Sequence, residues 1–148
     1  MKSDIGFGWT LLDLFLARLR QLDLRGFDCV VGILRGGAPS AIVASHALDL
    51  PVYWVEAKGY NEDNTKRKVV DINVLFSKLP RRYGKSRVLL CDDIWDTGDT
   101  MTGVVALLSD DYNAECRSIV LVTKDKHIPA DFISAVDKQA WVTFPWEN

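Results

Sequence analysis

Four aspartates lie within eight residues where a hydrophobic run ends. The segment reads VLLCDDIWDTGDT over residues 88–100, and its acids are Asp92, Asp93, Asp96 and Asp99. Capping a helix needs one aspartate, so turn and cap chemistry leaves most of these carboxylates unexplained. Paired carboxylates accept hydrogen bonds from sugar hydroxyls, and they hold Mg²⁺ directly or through water. The excess therefore indicates a cation or a polyhydroxyl ligand.

The last part of this segment suits a phosphate. Residues 96–100 read as a turn that enters a helix, and a helix N-terminus offers unpaired backbone N–H groups and partial positive charge. Gly98 lets the backbone approach a ligand closely, and Thr97 and Thr100 add hydroxyl groups. A phosphorylated sugar with a metal-bound pyrophosphate would satisfy both halves of the segment. An ordinary capped turn is the simpler alternative.

The surrounding elements place these residues at the edge of a sheet. Short apolar segments alternate with segments of helical periodicity, which predicts one α/β domain over residues 1–148 with a mainly parallel sheet covered on both faces. The predicted helices cover residues 9–22, 39–48 and 100–111. The predicted strands cover residues 28–34, 51–57, 69–75, 87–93, 118–124 and 140–144. Ligands of such sheets bind beyond the carboxyl ends of the strands.

Other polar segments also follow predicted strands. Arg35, Gly36 and Gly37 follow the first strand, and Lys124 ends the fifth. Residues 58–68, KGYNEDNTKRK, show no apolar periodicity and predict a long flexible loop between the second and third strands.

Composition argues against several classes of protein. A net charge of −2 over 148 residues is not that of a general nucleic-acid binder. The apolar runs are far shorter than the roughly 20 residues of a membrane span, and the N-terminus lacks the apolar core of a signal peptide. Cys29, Cys91 and Cys116 fit buried thiols in a reducing compartment. We therefore expect a cytoplasmic protein without nucleic-acid or membrane partners.

Residues 88–100 resemble the phosphoribosyl pyrophosphate (PRPP) motif of the type I phosphoribosyltransferases. GILRGGAPSA (residues 32–41) resembles the pyrophosphate loop of that family, and residues 58–68 fall where it has a mobile catalytic loop. LVTK (121–124) and WVTFPWE (141–147) resemble the base-binding segments of its xanthine-guanine branch. The resemblance implies a mainly parallel twisted sheet flanked by helices, with a small hood formed from the chain termini.

The resemblance implies roles for the acidic segment. Asp92 and Asp93 hold the ribose hydroxyls and the Mg²⁺–pyrophosphate, with the metal bound directly or through water. Asp96 also lies near N7 of a purine and acts as the general base. The 5-phosphate is wrapped mainly by backbone N–H groups of Asp96, Thr97, Gly98, Asp99 and Thr100.

Two residues depart from the usual motif. Asp99 brings a carboxylate beside a phosphate, so we expect only its backbone N–H to serve. Trp95 is bulkier than the usual aliphatic spacer.

The pyrophosphate is expected on the other side of the cleft. By the resemblance, Arg35, Gly36 and Gly37 receive it, and the Leu34–Arg35 peptide bond is cis. The mobile loop would contribute Tyr60 and Asn61 toward the substrate and Lys66, Arg67 and Lys68 toward pyrophosphate. A solvated charged loop is the alternative for each of the latter residues.

The base is expected near the ends of the last strands. Lys124 would donate to a 6-oxo group, because an ammonium group only donates hydrogen bonds. Trp141 would stack on the base, the backbone of Val142 would meet its edge, and Glu147 would lie near its 2-position. The alternatives are a solvated lysine and a core tryptophan.

Together these features predict a Mg²⁺-dependent enzyme that converts guanine, xanthine or hypoxanthine to the nucleoside monophosphate. Relatives are usually homodimers or homotetramers, which is the assembly we expect. A regulatory protein of the same fold that binds PRPP or a nucleotide is one alternative. An enzyme for a pyrimidine or another base is the second, and Lys124 and the Trp141 segment argue against it.

Overall fold

The computed structural model describes residues 3–61 and 68–147. The helices in this part of the chain are α1 (Thr10–Gln21), α2 (Ala38–Leu48) and α3 (Asp99–Tyr112), with a 3₁₀ turn at Pro145–Glu147. The strands are β1 (Asp4–Gly6), β2 (Cys29–Leu34), β3 (Val52–Asn61), β4 (Lys68–Val74), β5 (Ser86–Trp95), β6 (Ala114–Thr123), β7 (Asp131–Ala135) and β8 (Trp141–Thr143). None of the helices described is long and apolar enough to cross a membrane.

The main sheet has the strand order β4-β3-β2-β5-β6-β7. Its neighbouring strands are parallel except β3 and β4, which are antiparallel. Strands β2 and β5 are neighbours at the centre of the sheet. Residues 35–37, the Arg35 loop, follow the carboxyl end of β2, and the acidic segment lies at the carboxyl end of β5. The predicted α/β fold is therefore confirmed.

Two hydrophobic cores lie on opposite faces of this sheet. Successive side chains of a strand point to opposite faces, so Val30 packs with α1 and α2 while Val31 packs with α3. Both valines are fully buried. Burial on both faces explains why the central strands read as continuous apolar runs rather than alternating ones.

The chain termini form the expected hood. Strand β1 pairs with β8 in parallel, with Ile5 opposite Val142. Aromatic rings join the hood to the domain: Phe7 stacks on Phe144 at 6.2 Å, and Phe144 stacks on Trp146 at 5.0 Å between ring centroids.

The prediction of a loop over residues 58–68 is wrong at both ends of that segment. Lys58–Asn61 continue β3 and Lys68 begins β4, in an antiparallel ladder from Lys58 opposite Asp71 to Asn61 opposite Lys68. Backbone hydrogen bonds hold such a ribbon without an apolar side-chain pattern, so periodicity gave no signal for it. Residues 62–67 lie outside the described part.

Strands β1 and β7 were not predicted, and β5 is longer than the predicted strand. Asp92 and Asp93 lie within β5, which pairs with β6 as far as Trp95 opposite Thr123. Asp92 and Asp93 therefore lie within the strand, as the sequence predicted, and Asp96 follows its end.

Candidate active site

A cleft of about 330 Å³ opens at the carboxyl ends of β2 and β5. It brings together residues that are distant in sequence, because adjacent parallel strands end at the same edge of the sheet. Its lining includes the predicted site residues Arg35, Gly36, Asp92, Asp93, Asp96, Thr97, Gly98, Asp99 and Thr100. Ile33, Leu34, Ala57, Ile94, Trp95 and Met101 complete the lining, and none of these was predicted as a site residue.

The Asp92–Asp93 pair is the acidic half of the cleft. Asp92 is 8% exposed, and the Asp93 backbone N–H donates to its carboxylate at 2.8 Å. Burial raises the pKa of Asp92 well above its usual value, and repulsion by Asp93 adds to the rise. Burial also raises the pKa of Asp93, and the Glu147 carboxylate adds to that rise. Ionising this pair without a cation costs free energy in the folded protein.

The carboxylate pair fits a hard cation such as Mg²⁺. Magnesium is bound through one or two carboxylates together with substrate phosphates and water. Among the described residues, no group of three or more His, Cys, Asp or Glu side chains is arranged to hold a metal ion. Asp92 and Asp93 would therefore hold Mg²⁺ together with oxygen atoms of a ligand.

The Arg35 loop packs directly against the acidic pair. A Cβ at Gly36 would collide with the Asp93 carboxylate, and a Cβ at Gly37 would lie 2.5 Å from the carbonyl oxygen of Cys91. Both positions therefore need glycine. The Leu34–Arg35 peptide bond is cis, as the resemblance implied.

Residues 96–100, the phosphate turn, form the other half of the cleft. Gly98 is the N-cap of α3, with φ of 89°, and as a glycine it has no side chain that could cap the helix. The Asp99 backbone N–H donates to Thr97 Oγ1 at 3.3 Å. Of the simpler alternative, an ordinary capped turn, the turn contact is therefore present through Thr97, whereas no aspartate side chain caps α3 among the described residues. An anion at this turn would meet the positive end of the helix dipole.

Lys124 and Asp96 form an ion pair at the rim of the cleft. The Lys124 ammonium nitrogen lies 3.5 Å from the Asp96 carboxylate, and the Lys124 side chain is only 15% exposed. The Lys124 backbone N–H donates to the carbonyl oxygen of Trp95 at 3.0 Å. Lys124 is thus not a freely solvated residue at a strand end. Its ammonium group, a hydrogen-bond donor, lies next to the Asp96 carboxylate, an acceptor.

The remaining base-binding candidates lie elsewhere. Trp141 is 63% exposed on β8, and Val142 packs against the α1–α2 core. Neither residue lines the 330 Å³ cleft. Glu147 lines a second cavity of about 780 Å³. That cavity also includes Arg35, Gly36 and Asp93, so the structure places Glu147 on the Arg35 side rather than beside Lys124.

The mobile-loop candidates are partly described. Tyr60 and Asn61 lie in β3, and Lys68 lies opposite Asn61 in β4. Lys66 and Arg67 lie outside the described residues.

Comparison with known proteins identifies one family. Residues 13–147 match the phosphoribosyl transferase domain. The chain is 27% identical over 133 residues to a xanthine-guanine phosphoribosyltransferase of Cereibacter sphaeroides, covering 86% of this chain and 76% of that protein. It is 28% identical over 111 residues to an orotate phosphoribosyltransferase of Sulfurisphaera tokodaii, covering 74% and 49% respectively.

Solved structures share the fold. The crystal structure of a purine phosphoribosyltransferase from Pyrococcus horikoshii superposes with a TM-score of 0.78 at 24% identity, covering 98% of this chain and 95% of that one.

Proposed function

The chain belongs to the phosphoribosyl transferase domain family, whose members are pentosyl-transferring enzymes, and on that premise we propose that it transfers ribose 5-phosphate from PRPP to a 6-oxopurine. The products are pyrophosphate and the nucleoside monophosphate. One observation carries the proposal: a single cleft joins a buried carboxylate pair to the N-terminus of α3, where the N-cap is a glycine without a side chain. A sugar phosphate has hydroxyl groups for the first and a phosphate for the second.

The reaction breaks the bond between C1 of the ribose and pyrophosphate, which leaves with the bonding electrons. A nitrogen of the base supplies the pair that forms the new bond to C1. Positive charge develops on the ribose between these events, and the carboxylates of Asp92 and Asp93 lie in the cleft where they would stabilise it. Mg²⁺ held by the same pair would neutralise charge on the departing pyrophosphate.

Asp96 serves as the general base in this proposal. Its carboxylate is 52% exposed at the cleft rim, where a bound base would reach it. The proton released by the attacking purine passes to this carboxylate. The phosphate turn positions the reacting sugar, since most of the catalysis comes from orientation and electrostatics.

The Lys124–Asp96 pair supports a 6-oxopurine. A 6-oxopurine presents an acceptor at its 6-position and an N–H at the neighbouring N7, which complements a lysine donor 3.5 Å from an aspartate acceptor. Adenine presents an amino donor at the 6-position and would meet the ammonium group unfavourably.

The remaining candidates keep their proposed roles. Arg35, Gly36 and Gly37 receive pyrophosphate. Tyr60 and Asn61 meet the substrate, and Lys66, Arg67 and Lys68 face pyrophosphate. Trp141 and Val142 contact the base. Glu147 is proposed to lie near the 2-position of the base, and in the structure it lines the second cavity together with Arg35 and Asp93.

A steady-state assay tests the proposal. The protein is incubated with PRPP, Mg²⁺ and one base at a time: guanine, xanthine, hypoxanthine, adenine or orotate. We expect pyrophosphate release with the 6-oxopurines and little with adenine or orotate. Turnover with orotate alone would favour an enzyme for a pyrimidine base. The similarity to an orotate phosphoribosyltransferase is the reason for testing this alternative. Tight PRPP binding without turnover on any base would favour a regulatory protein.

A further inference from the structure

We propose that the indole N–H of Trp95 donates a hydrogen bond to the phosphate bound at the phosphate turn. The inference rests on the proposed function and adds a side-chain donor to a subsite otherwise built from backbone and hydroxyl groups. Trp95 is the last residue of β5 and precedes the turn directly.

The indole ring of Trp95 lies at the cleft and beside the phosphate turn. Trp95 is 9% exposed, and it is one of the residues that line the cleft. A Cβ built on Gly98 would lie 2.5 Å from Cζ2, 2.7 Å from Cε2 and 2.9 Å from Nε1 of Trp95. The part of the indole that carries the N–H is therefore the part nearest Gly98 of the phosphate turn.

An indole nitrogen only donates hydrogen bonds. Within the described residues, no protein acceptor pairs with Trp95 Nε1. Nε1 of Trp146 also has no partner but is enclosed by protein, whereas Trp95 has the cleft beside it. An anion at the turn would supply the acceptor.

Packing alone does not account for this arrangement. The Trp95 ring belongs to the core cluster that includes Met101 and Val104 of α3, which explains an apolar residue at this position. A phenylalanine ring would serve such packing without placing a polar atom next to Gly98. Packing and donation therefore predict different results for pyrophosphate and ribose 5-phosphate when the N–H is removed and the ring is made smaller.

The variant Trp95→Phe makes that removal while keeping an aromatic ring. We expect ribose 5-phosphate to bind about 10-fold more weakly in calorimetric titration, the effect of losing one hydrogen bond to a charged group. Pyrophosphate, which is proposed to bind at Arg35–Gly37, should bind with unchanged affinity. The indole emission of the wild-type protein should change on addition of ribose 5-phosphate, and most of that change should be absent in Trp95→Phe.

Trp54→Phe is the matched control. Trp54 is half-buried in β3 and its ring packs against Gly32, outside the cleft lining. The same chemical change at this position should leave both affinities and the emission change intact.

Equal ribose 5-phosphate affinity in Trp95→Phe and the wild type would overturn the inference. An equal loss of ribose 5-phosphate and pyrophosphate affinity would also overturn it, since that result marks a packing role. Failure of the wild-type protein to bind ribose 5-phosphate would instead defeat the proposed function and this inference with it.

Discussion

At the scale of single residues, ionising the buried Asp92–Asp93 pair lowers the free energy of unfolding when no cation is bound. Asp92 is buried next to another carboxylate, and burial raises its pKa. A raised pKa means that the folded protein favours the protonated acid. The contribution of protonated Asp92 to the free energy of unfolding is fully present below the unfolded pKa of about 3.9, and it is lost as pH rises through the folded pKa.

The first prediction concerns Asp92→Asn. An asparagine keeps a side-chain oxygen for the Asp93 N–H but has no charge to bury. Without Mg²⁺ at pH 7, we expect the variant to have a higher free energy of unfolding than the wild type, because it has no buried carboxylate to ionise. We expect the difference to shrink toward pH 4. Urea titration at several pH values measures this, with exposed Asp110→Asn as control. A destabilised Asp92→Asn at pH 7 would contradict the burial argument.

The general base is tested by Asp96→Asn. We expect kcat to fall by roughly 10²–10⁴, the range for loss of a positioned base. PRPP affinity should change little, because backbone N–H groups of the phosphate turn remain. Steady-state kinetics and PRPP titration measure the two quantities. Near-normal turnover would remove Asp96 from this role.

Base recognition is tested by Lys124→Ala, with exposed Lys126→Ala as control. The substitution removes the donor paired with Asp96. We expect KM for 6-oxopurines to rise by roughly 10-fold or more, the effect of losing a hydrogen bond from a charged group, while PRPP binding is retained. An equal loss of both affinities would point to a folding defect instead.

At the scale of elements, the phosphate turn depends on how β5 ends. Trp95 still pairs with β6, and the chain then reverses within three residues into α3. Gly98 allows the reversal because its φ of 89° is left-handed and its Cα lies on the Trp95 ring. The strand, the glycine and the helix therefore act as one unit.

Gly98→Ala should destabilise the turn between β5 and α3. The new methyl group would meet the left-handed backbone penalty and the Trp95 ring together, and we expect a loss of about 2 kcal/mol or more in the free energy of unfolding. Gly84→Ala separates the two causes, since Gly84 has φ of 51° and no atom of the described residues lies within 4 Å of its built Cβ. We expect it to lose only about 1 kcal/mol. Equal losses in denaturant titration would show that the ring contact carries no cost.

At the scale of the whole molecule, the two ends of the chain meet in the hood. Trp146 stacks on Phe144 at 5.0 Å with planes 8° apart, and it lies 5.9 Å from the Trp9 ring. Its indole N–H is buried without an acceptor within the described structure. The ring thus stabilises the hood while its polar atom opposes that effect.

Substitutions at Trp146 should separate these contributions. We expect Trp146→Ala to lower the free energy of unfolding by about 3 kcal/mol, because the stack is lost. Trp146→Phe keeps most of the ring and removes the unpaired donor, so its loss should be under about 1 kcal/mol. Thermal and urea unfolding measure both variants. Equal losses would show that the ring stack is not what joins the termini.

The order of the three helices and of six of the strands followed from sequence, as did the carboxyl-end position of the cleft, whereas β1 and β7 did not. Apolar runs such as residues 28–34 are long enough to predict buried strands, and Asp92 to Thr100 form a motif that is contiguous in the chain. The ribbon over Lys58–Asn61 was missed because pairing between backbones leaves no side-chain periodicity.

What the amino-acid sequence determined by itself is local: which segments become strands and helices, and which acids and glycines stand at their ends. Tertiary structure alone decided that Lys124 pairs with Asp96 and that Glu147 lies beside Arg35. It also placed the Trp95 ring under Gly98. Contacts of this kind depend on strand order and on the direction of each side chain from the sheet, and these are set by packing of the whole core rather than by spacing along the chain.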